Sequence, residues 1–190
     1  MIPSRLLLMS VAAFAALLGA SCADDATAPG DMTLQEYFTE VEAIFENASR
    51  GTEQLNQELN DSLSSAKTFE EQVEALQAFV SGAADVFDES ISQMESLSPP
   101  VEVEQPHNDF TEATADVLSA ATDLNEGLAN SEDESDATGH LEEFESSIAE
   151  PLFTIDEACS DLQDIADDNS INTDLRCTEQ VFPERPQDPF

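Results

Sequence analysis

The sequence predicts an all-α protein, an elongated antiparallel four-helix bundle with up-down-up-down topology. Apolar residues recur at alternating intervals of three and four in four successive stretches, which is typical of helices that each bury one face. Short polar or proline-containing segments separate these stretches, and such connections favour antiparallel neighbours. Apolar and polar residues nowhere alternate over a run long enough to found a sheet. Helices of about 25 to 30 residues would be about 40 Å long, so the bundle is expected to be a rod.

The first helix is expected to begin shortly after Asp31. Its apolar seam follows a heptad-like spacing, which predicts one buried face. Gly51 lies inside this run and is expected to loosen it. The seam comprises Leu34, Phe38, Val41, Phe45, Ala48, Thr52, Leu55 and Leu59.

The second helix is predicted from a capping motif. Thr68 and Glu71 are three residues apart, the spacing of a capping box, and therefore mark a helix start. Pro99 and Pro100 end the helix. Its seam comprises Phe69, Val73, Leu76, Val80, Ala83, Phe87, Ile91 and Met94.

The third helix is expected to open near Pro106, because proline is tolerated in the first helical turn, and to run to Leu128. The acidic stretch from Asn130 to Gly139 has no apolar anchor and predicts an exposed loop. A fourth helix follows, and Pro151 in its middle removes a backbone donor, so a kink or a split is expected there. The seams of these helices comprise Phe110, Val117, Ala121, Leu124 and Leu128, then Leu141, Phe144, Ile148, Leu152, Ile155, Cys159, Leu162 and Ala166.

The N-terminal residues have the parts of a secretory signal peptide. Arg5 precedes the apolar run Leu6 to Leu18, which is shorter than the ~20 residues of a membrane span. Small residues then lead to Cys22. The pattern resembles the signal of bacterial lipoproteins, which is removed before a cysteine that carries the lipid. This resemblance implies a signal peptide over residues 1–21 and a lipid on Cys22, which would anchor the exported protein on the extracytoplasmic side of a membrane.

Composition divides the rest of the chain. Residues 22–31 are small and acidic and are expected to form a flexible tether between lipid and folded body. Residues 32–182 are predicted to form the four-helix bundle domain, and residues 183–190 form a proline-rich tail.

The cysteines number three, and with Cys22 assigned to lipid, Cys159 and Cys177 remain as a pair. Export to an oxidising compartment favours a disulfide between them, two buried free thiols being the alternative. The bond would staple the return segment, which passes through Ile171 and Leu175, onto the fourth helix. Closing a loop of about 18 residues would contribute on the order of 3 kcal/mol.

The formal net charge is −37, from 42 acidic and five basic residues. This field repels nucleic acid and anionic lipid headgroups, so neither is expected as a partner. Its self-repulsion destabilises the compact state unless cations screen it. Two explanations remain open: adaptation to a salty habitat, or a surface that binds divalent cations weakly.

Two histidine motifs have spacings that occur in metal sites. Glu104 and His107 have the Glu-x-x-His spacing of di-metal bundles, but a second copy is missing, so a solvated loop histidine is expected. His140 and Glu143 resemble the His-x-x-Glu element of imelysin-like periplasmic proteins over four residues. Their place near a helix start favours ordinary surface residues. No metal ligand set and no cofactor is therefore predicted.

The remaining candidates also favour structural roles. The acidic clusters at 132–136 and 164–169 lack the ligand spacing of a calcium-binding EF-hand loop. A phenylalanine stripe could line a cavity, but a slim bundle has little room for one, so ordinary core is expected. The stripe comprises Phe38, Phe45, Phe69, Phe79, Phe87, Phe110, Phe144 and Phe153.

The sequence contains no arrangement of nucleophile and base that would indicate catalysis, so no enzyme is predicted. The function expected first is that of a lipid-anchored extracytoplasmic bundle acting as a structural or interaction module, whose protein partner the residues do not identify. The alternative is a periplasmic or extracellular module that binds a solute or a cation.

Overall fold

A computed structural model describes residues 32–177, and this part of the chain is an all-α four-helix bundle. The helices are α1 (Leu34–Ser65), α2 (Phe69–Glu95), α3 (Glu104–Asn130) and α4 (Glu134–Asp168). At a rise of about 1.5 Å per residue they are roughly 40 to 50 Å long. The prediction of an elongated all-α bundle is confirmed. The predicted signal peptide, the tether, Cys22 and the tail lie outside the described residues.

Side chains cap three of the helix starts in this range. Thr33 with Glu36, and Thr68 with Glu71, form capping boxes that satisfy the free N–H groups of α1 and α2. The second of these was predicted. At α4 the carboxylate of Asp133 accepts hydrogen bonds from the backbone N–H groups of Ser135 and Asp136.

The cap at Asp133 corrects the prediction of an exposed loop from Asn130 to Gly139. The connection is only residues 131–133, and Ala137 in the first turns of α4 is fully buried. Acidic side chains are stabilised at a helix N-terminus by the helix dipole, so the acidic stretch starts the helix instead of interrupting it. The third helix likewise begins two residues before Pro106, at Glu104.

The helices pack in chain order, with close backbone approach between α1 and α2, α2 and α3, and α3 and α4. One core cluster joins the start of α1, the end of α2 and the end of α4 to the return segment. A second cluster joins the end of α1, the start of α2, the end of α3 and the start of α4. This alternation of starts and ends is that of an up-down-up-down bundle. A smaller cluster between them lies on α3 and α4, around Val117 and Ile155.

Helix α4 runs unbroken through Pro151, so the predicted split does not occur. Proline leaves the carbonyl four residues earlier, on Ser147, without its helical partner. Because Ser147 is exposed, water can satisfy that carbonyl and the helix continues.

The chain turns back after α4 in a Schellman motif. Ser170 adopts a left-handed φ of 58°, the Ile171 N–H donates to the Ala166 carbonyl, and the Ser170 N–H donates to the Asp167 carbonyl. Ile171 and Leu175 are then buried in the first core cluster. The predicted return segment is therefore confirmed.

Within residues 32–177, none of the helices combines the length and apolar character needed to cross a membrane.

Candidate functional site

A cavity of about 270 Å³ lies in the middle of the bundle, on the side where α1 faces α4. Both helices contribute to its walls, α2 and α3 form its floor, and the return segment closes one end. The residues around it are Glu42, Phe45, Glu46, Ala48, Ser49, Thr52, Glu53, Asn56, Phe87, Ser90, Phe110, Thr114, Val117, Ile155, Asp156, Cys159, Asp174, Leu175, Arg176 and Cys177.

The cavity exists because α1 does not approach α4 closely along its length. Near the start of α1 the large side chains of Tyr37 and Phe38 fill the space and are fully buried in the cluster that includes α4. Further along, the inward positions of α1 hold Ala48 and Thr52, whose side chains are too short to fill the same space. The gap between the two core clusters therefore stays open.

Two glycines allow α1 to approach α2 closely, and this approach contributes to the gap between α1 and α4. A Cβ atom at Gly82 would lie 2.5 Å from Leu55 Cδ2, and one at Gly51 would lie 2.9 Å from Val86 Cγ2. Both distances are shorter than real contacts, so these glycines allow the backbones to approach closely. Gly51, which was expected to loosen α1, instead lies within a continuous helix at this contact.

The interior of the cavity is apolar. Phe45 and Phe110 stack with ring centroids 4.9 Å apart and an interplanar angle of 28°, joining α1 to α3 across the gap. Phe87, Val117 and Ile155 are buried and complete the apolar surface.

The hydroxyl groups on the cavity wall are turned towards their own helices. Thr52 Oγ1 donates to the Ala48 carbonyl at 2.9 Å, and Thr114 Oγ1 donates to the Phe110 carbonyl at 2.7 Å. Because these protons are used within the helix, the threonines offer methyl groups and oxygen lone pairs to the cavity. A ligand would meet apolar contacts and weak acceptors there.

The rim of the cavity is acidic. Glu42, Glu46 and Glu53 are exposed on α1. Opposite them lie the exposed Asp156 on α4 and Asp174 on the return segment, and Arg176 is beside Asp174. Among the lining residues, five carboxylates thus stand against one guanidinium. The site combines an apolar interior with a net negative entrance.

The predicted disulfide borders this cavity. Cys159 and Cys177 are joined with an S–S distance of 2.06 Å and a Cα–Cα distance of 5.5 Å. Gln163 holds the same segment by accepting from the Leu175 N–H at 2.9 Å and donating to the Thr173 carbonyl at 3.2 Å. The end wall of the cavity is therefore fixed to α4 covalently and by hydrogen bonds.

The expectation that His107 is a solvated loop residue is wrong. It lies in the first turn of α3, is only 5% exposed, and its Nδ1 is 3.1 Å from the hydroxyl of the fully buried Tyr37. Desolvation lowers the pKa of His107 and raises the pKa of Tyr37, so both groups are held neutral. His107 did not stand out as a core residue because its partner is distant in sequence.

The second histidine motif stays apart from the cavity. His140 is half-buried, and a Cβ on Gly127 would lie only 2.6 Å from its ring, so the ring packs against α3. Glu104 and Glu143 are exposed. Across residues 32–177, no three His, Cys, Asp or Glu side chains are grouped so as to hold a metal ion.

The phenylalanine stripe divides between several environments. Phe45, Phe87 and Phe110 line the cavity, Phe38 is buried in a core cluster, and Phe153 is 63% exposed. The expectation that the bundle has little room for a pocket is therefore wrong. The signal in the sequence was the pair of small seam residues, Ala48 and Thr52, in the middle of α1.

Comparison of the chain with protein families, with curated proteins and with solved structures finds no match.

Proposed function

We propose that the chain is a non-enzymatic binding module that takes a small apolar solute into the cavity between α1 and α4. The observation that carries this proposal is the cavity itself, an apolar space of about 270 Å³ between the helices of the bundle. Cavities of about 150 Å³ lined by apolar side chains hold benzene, so this one has room for a larger body. It lies just below the volume range of about 300–1,000 Å³ that is usual for small-molecule sites, so a small solute is expected.

The chemistry of the lining supports binding over catalysis. The two cysteines beside the cavity are joined to each other, and the threonine hydroxyls of the wall donate within their helices. Both histidines lie outside the lining. Of the described side chains, those around the cavity thus pair no nucleophile with a histidine base.

Indole is a suitable probe of this proposal, because the chain contains no tryptophan and indole fluorescence is free of background. The expected result is saturable binding that Ala48→Phe abolishes, since the new ring would occupy the cavity. Ala149→Phe is the matched control: Ala149 is exposed on α4 and outside the lining, so binding should persist.

Loss of function by unfolding is separated from cavity filling in two ways. Both variants should keep the helical circular dichroism of the parent protein, and Thr52→Leu provides a second, smaller filling of the same space. Equal indole binding by the parent and both filled variants would contradict the proposal.

We also propose that the module is exported and held at a membrane by a lipid on Cys22. The support is the pattern of the N-terminal residues, and the acidic segment 22–31 would serve as the tether. A single acyl chain anchors a protein only marginally, so lipoprotein-type processing with more than one chain is required. Cys22→Ala should release the protein to the soluble fraction of its host. A variant that stays with the membrane would contradict the anchor without affecting the proposal for the cavity.

A further inference from the structure

We infer that the solute is a cationic amphiphile, an apolar body that carries an amine or a quaternary ammonium group. This inference rests on the proposed function and names the class of ligand for the same cavity. It follows from the relation between the apolar interior and the charged rim.

The acidic and apolar parts of α1 lie on one face. Glu42, Phe45, Ser49, Thr52 and Asn56 follow each other at intervals of three and four and all border the cavity. Glu42 is therefore one helical turn from the Phe45 ring. A ligand whose body lies against that ring has its polar end beside a carboxylate.

Carboxylates also stand on the other side of the opening. Asp156 directly follows the buried Ile155 on α4, and Asp174 lies on the return segment. Both sides of the entrance thus place negative charge next to apolar surface. An anionic solute would be repelled there, while a neutral one would gain no charge–charge attraction from the rim.

The aromatic interior favours a cation as well. Ring faces attract ammonium groups, most strongly where water is excluded. Phe45 and Phe110 bring two aromatic rings to the lining of the cavity. The inward hydroxyls offer lone pairs, which accept hydrogen bonds from an ammonium group but not from an anion.

Three indole derivatives of similar size test the class of ligand: tryptamine is a cation, tryptophol is neutral and indole-3-acetate is an anion at neutral pH. We expect tryptamine to bind about tenfold more tightly than tryptophol, the effect of one cation–π contact or ion pair at a partly shielded site. Indole-3-acetate should bind most weakly. The advantage of tryptamine should shrink in about 1 M NaCl, where the Debye length is about 3 Å, while tryptophol binding persists.

The rim is tested by the triple variant Glu42→Gln, Glu53→Gln and Asp156→Asn, which removes charge with little change of shape and leaves the ion pair between Arg50 and Glu46 intact. Tryptamine should then bind no better than tryptophol, and tryptophol should bind as before.

The matched control removes the same number of charges elsewhere. Glu74→Gln, Glu126→Gln and Glu142→Gln are exposed positions outside the cavity lining. This variant has the same net charge as the rim variant, so it reports the effect of the general field. Tryptamine should keep its advantage in it.

The possible results separate this inference from the proposed function. Equal binding of tryptamine and tryptophol by the parent protein would overturn the cationic class and leave the cavity a binding site. An equal loss in both triple variants would also overturn the inference, because the whole surface and not the rim would then attract the cation. If none of the three probes binds, the proposed function itself fails.

Discussion

The Tyr37 hydroxyl lies 3.1 Å from Nδ1 of His107, and this buried contact ties the start of α1 to the start of α3. Because burial raises the pKa of Tyr37, the phenol stays protonated, and the tautomer of the imidazole decides which of the two groups donates. Tyr37→Phe leaves Nδ1 buried without a partner, which should lower the free energy of unfolding by about 1–3 kcal/mol in urea denaturation.

A double variant checks that the hydrogen bond is the cause. Tyr37→Phe combined with His107→Leu removes both polar partners, so its loss should be smaller than the sum of the single losses. Simple additivity would indicate that the residues stabilise the bundle independently.

The pH dependence of stability should carry a signature of His107. Burial lowers its pKa below the ordinary value of 6.5, so the unfolded chain takes up a proton at a higher pH than the native one. The stability that depends on the neutral ring is complete above that value and is lost as the pH falls through it towards the native pKa. The loss should reach about 1 kcal/mol per pH unit within that window.

The measurement compares the parent protein with His107→Asn, whose amide oxygen can accept the Tyr37 proton but does not titrate. Both proteins have the same carboxylates. The difference between their curves of unfolding free energy against pH therefore reports the titration of His107 alone. If the two curves run parallel between about pH 7.5 and about pH 5.5, protonation of His107 is not linked to folding.

The buried faces of the helices were mostly predicted correctly from the sequence, whereas several features that depend on packing between helices were not. All eight seam residues predicted for α2 are buried or half-buried, because a repeat of three and four directly encodes one face of a helix. Tyr37 and Ile44, in contrast, are buried beside the predicted seam of α1. They belong to the core cluster that also includes the end of α4 and the return segment, and no spacing within α1 reveals that packing.

The cavity was missed for a related reason. Ala48 and Thr52 occupy ordinary seam positions, and in one helix a small seam residue looks the same whether or not its neighbour fills the space. The gap depends on the distance between α1 and α4, which is set by Tyr37 and Phe38 at one end and by the glycine contacts with α2. Such distances depend on how all four helices pack together, so the pattern of residues in one helix does not predict them.

Ser170→Gly should stabilise the protein. Ser170 is exposed and has a φ of 58°, a conformation that costs a side-chain-bearing residue about 1–2 kcal/mol. Glycine adopts it freely but adds entropy to the unfolded chain, so a net gain of about 0.5–1 kcal/mol is expected. Ser170→Ala keeps the Cβ atom and should give no gain. A higher thermal midpoint for the glycine variant alone would confirm that the turn is strained.

Salt should stabilise the bundle through screening. The net charge of −37 opposes compaction, and about 1 M monovalent salt shortens the Debye length to about 3 Å. Thermal midpoints should rise with NaCl. If screening alone is the cause, calcium at equal ionic strength should act alike. A larger rise with calcium would instead favour a surface that binds divalent cations.

Removing the Cys159–Cys177 disulfide should weaken both the fold and the cavity. The bond closes a sequence separation of 18 residues, so Cys159→Ser with Cys177→Ser should cost about 3 kcal/mol of unfolding free energy. Asp174 to Cys177 also form one wall of the cavity, so tryptophol should bind more weakly in the double variant. Reductant should reproduce both effects in the parent protein and change nothing in the variant. If stability falls but tryptophol binding is unchanged, the Gln163 hydrogen bonds hold the wall without the disulfide, and the covalent bond serves the fold alone.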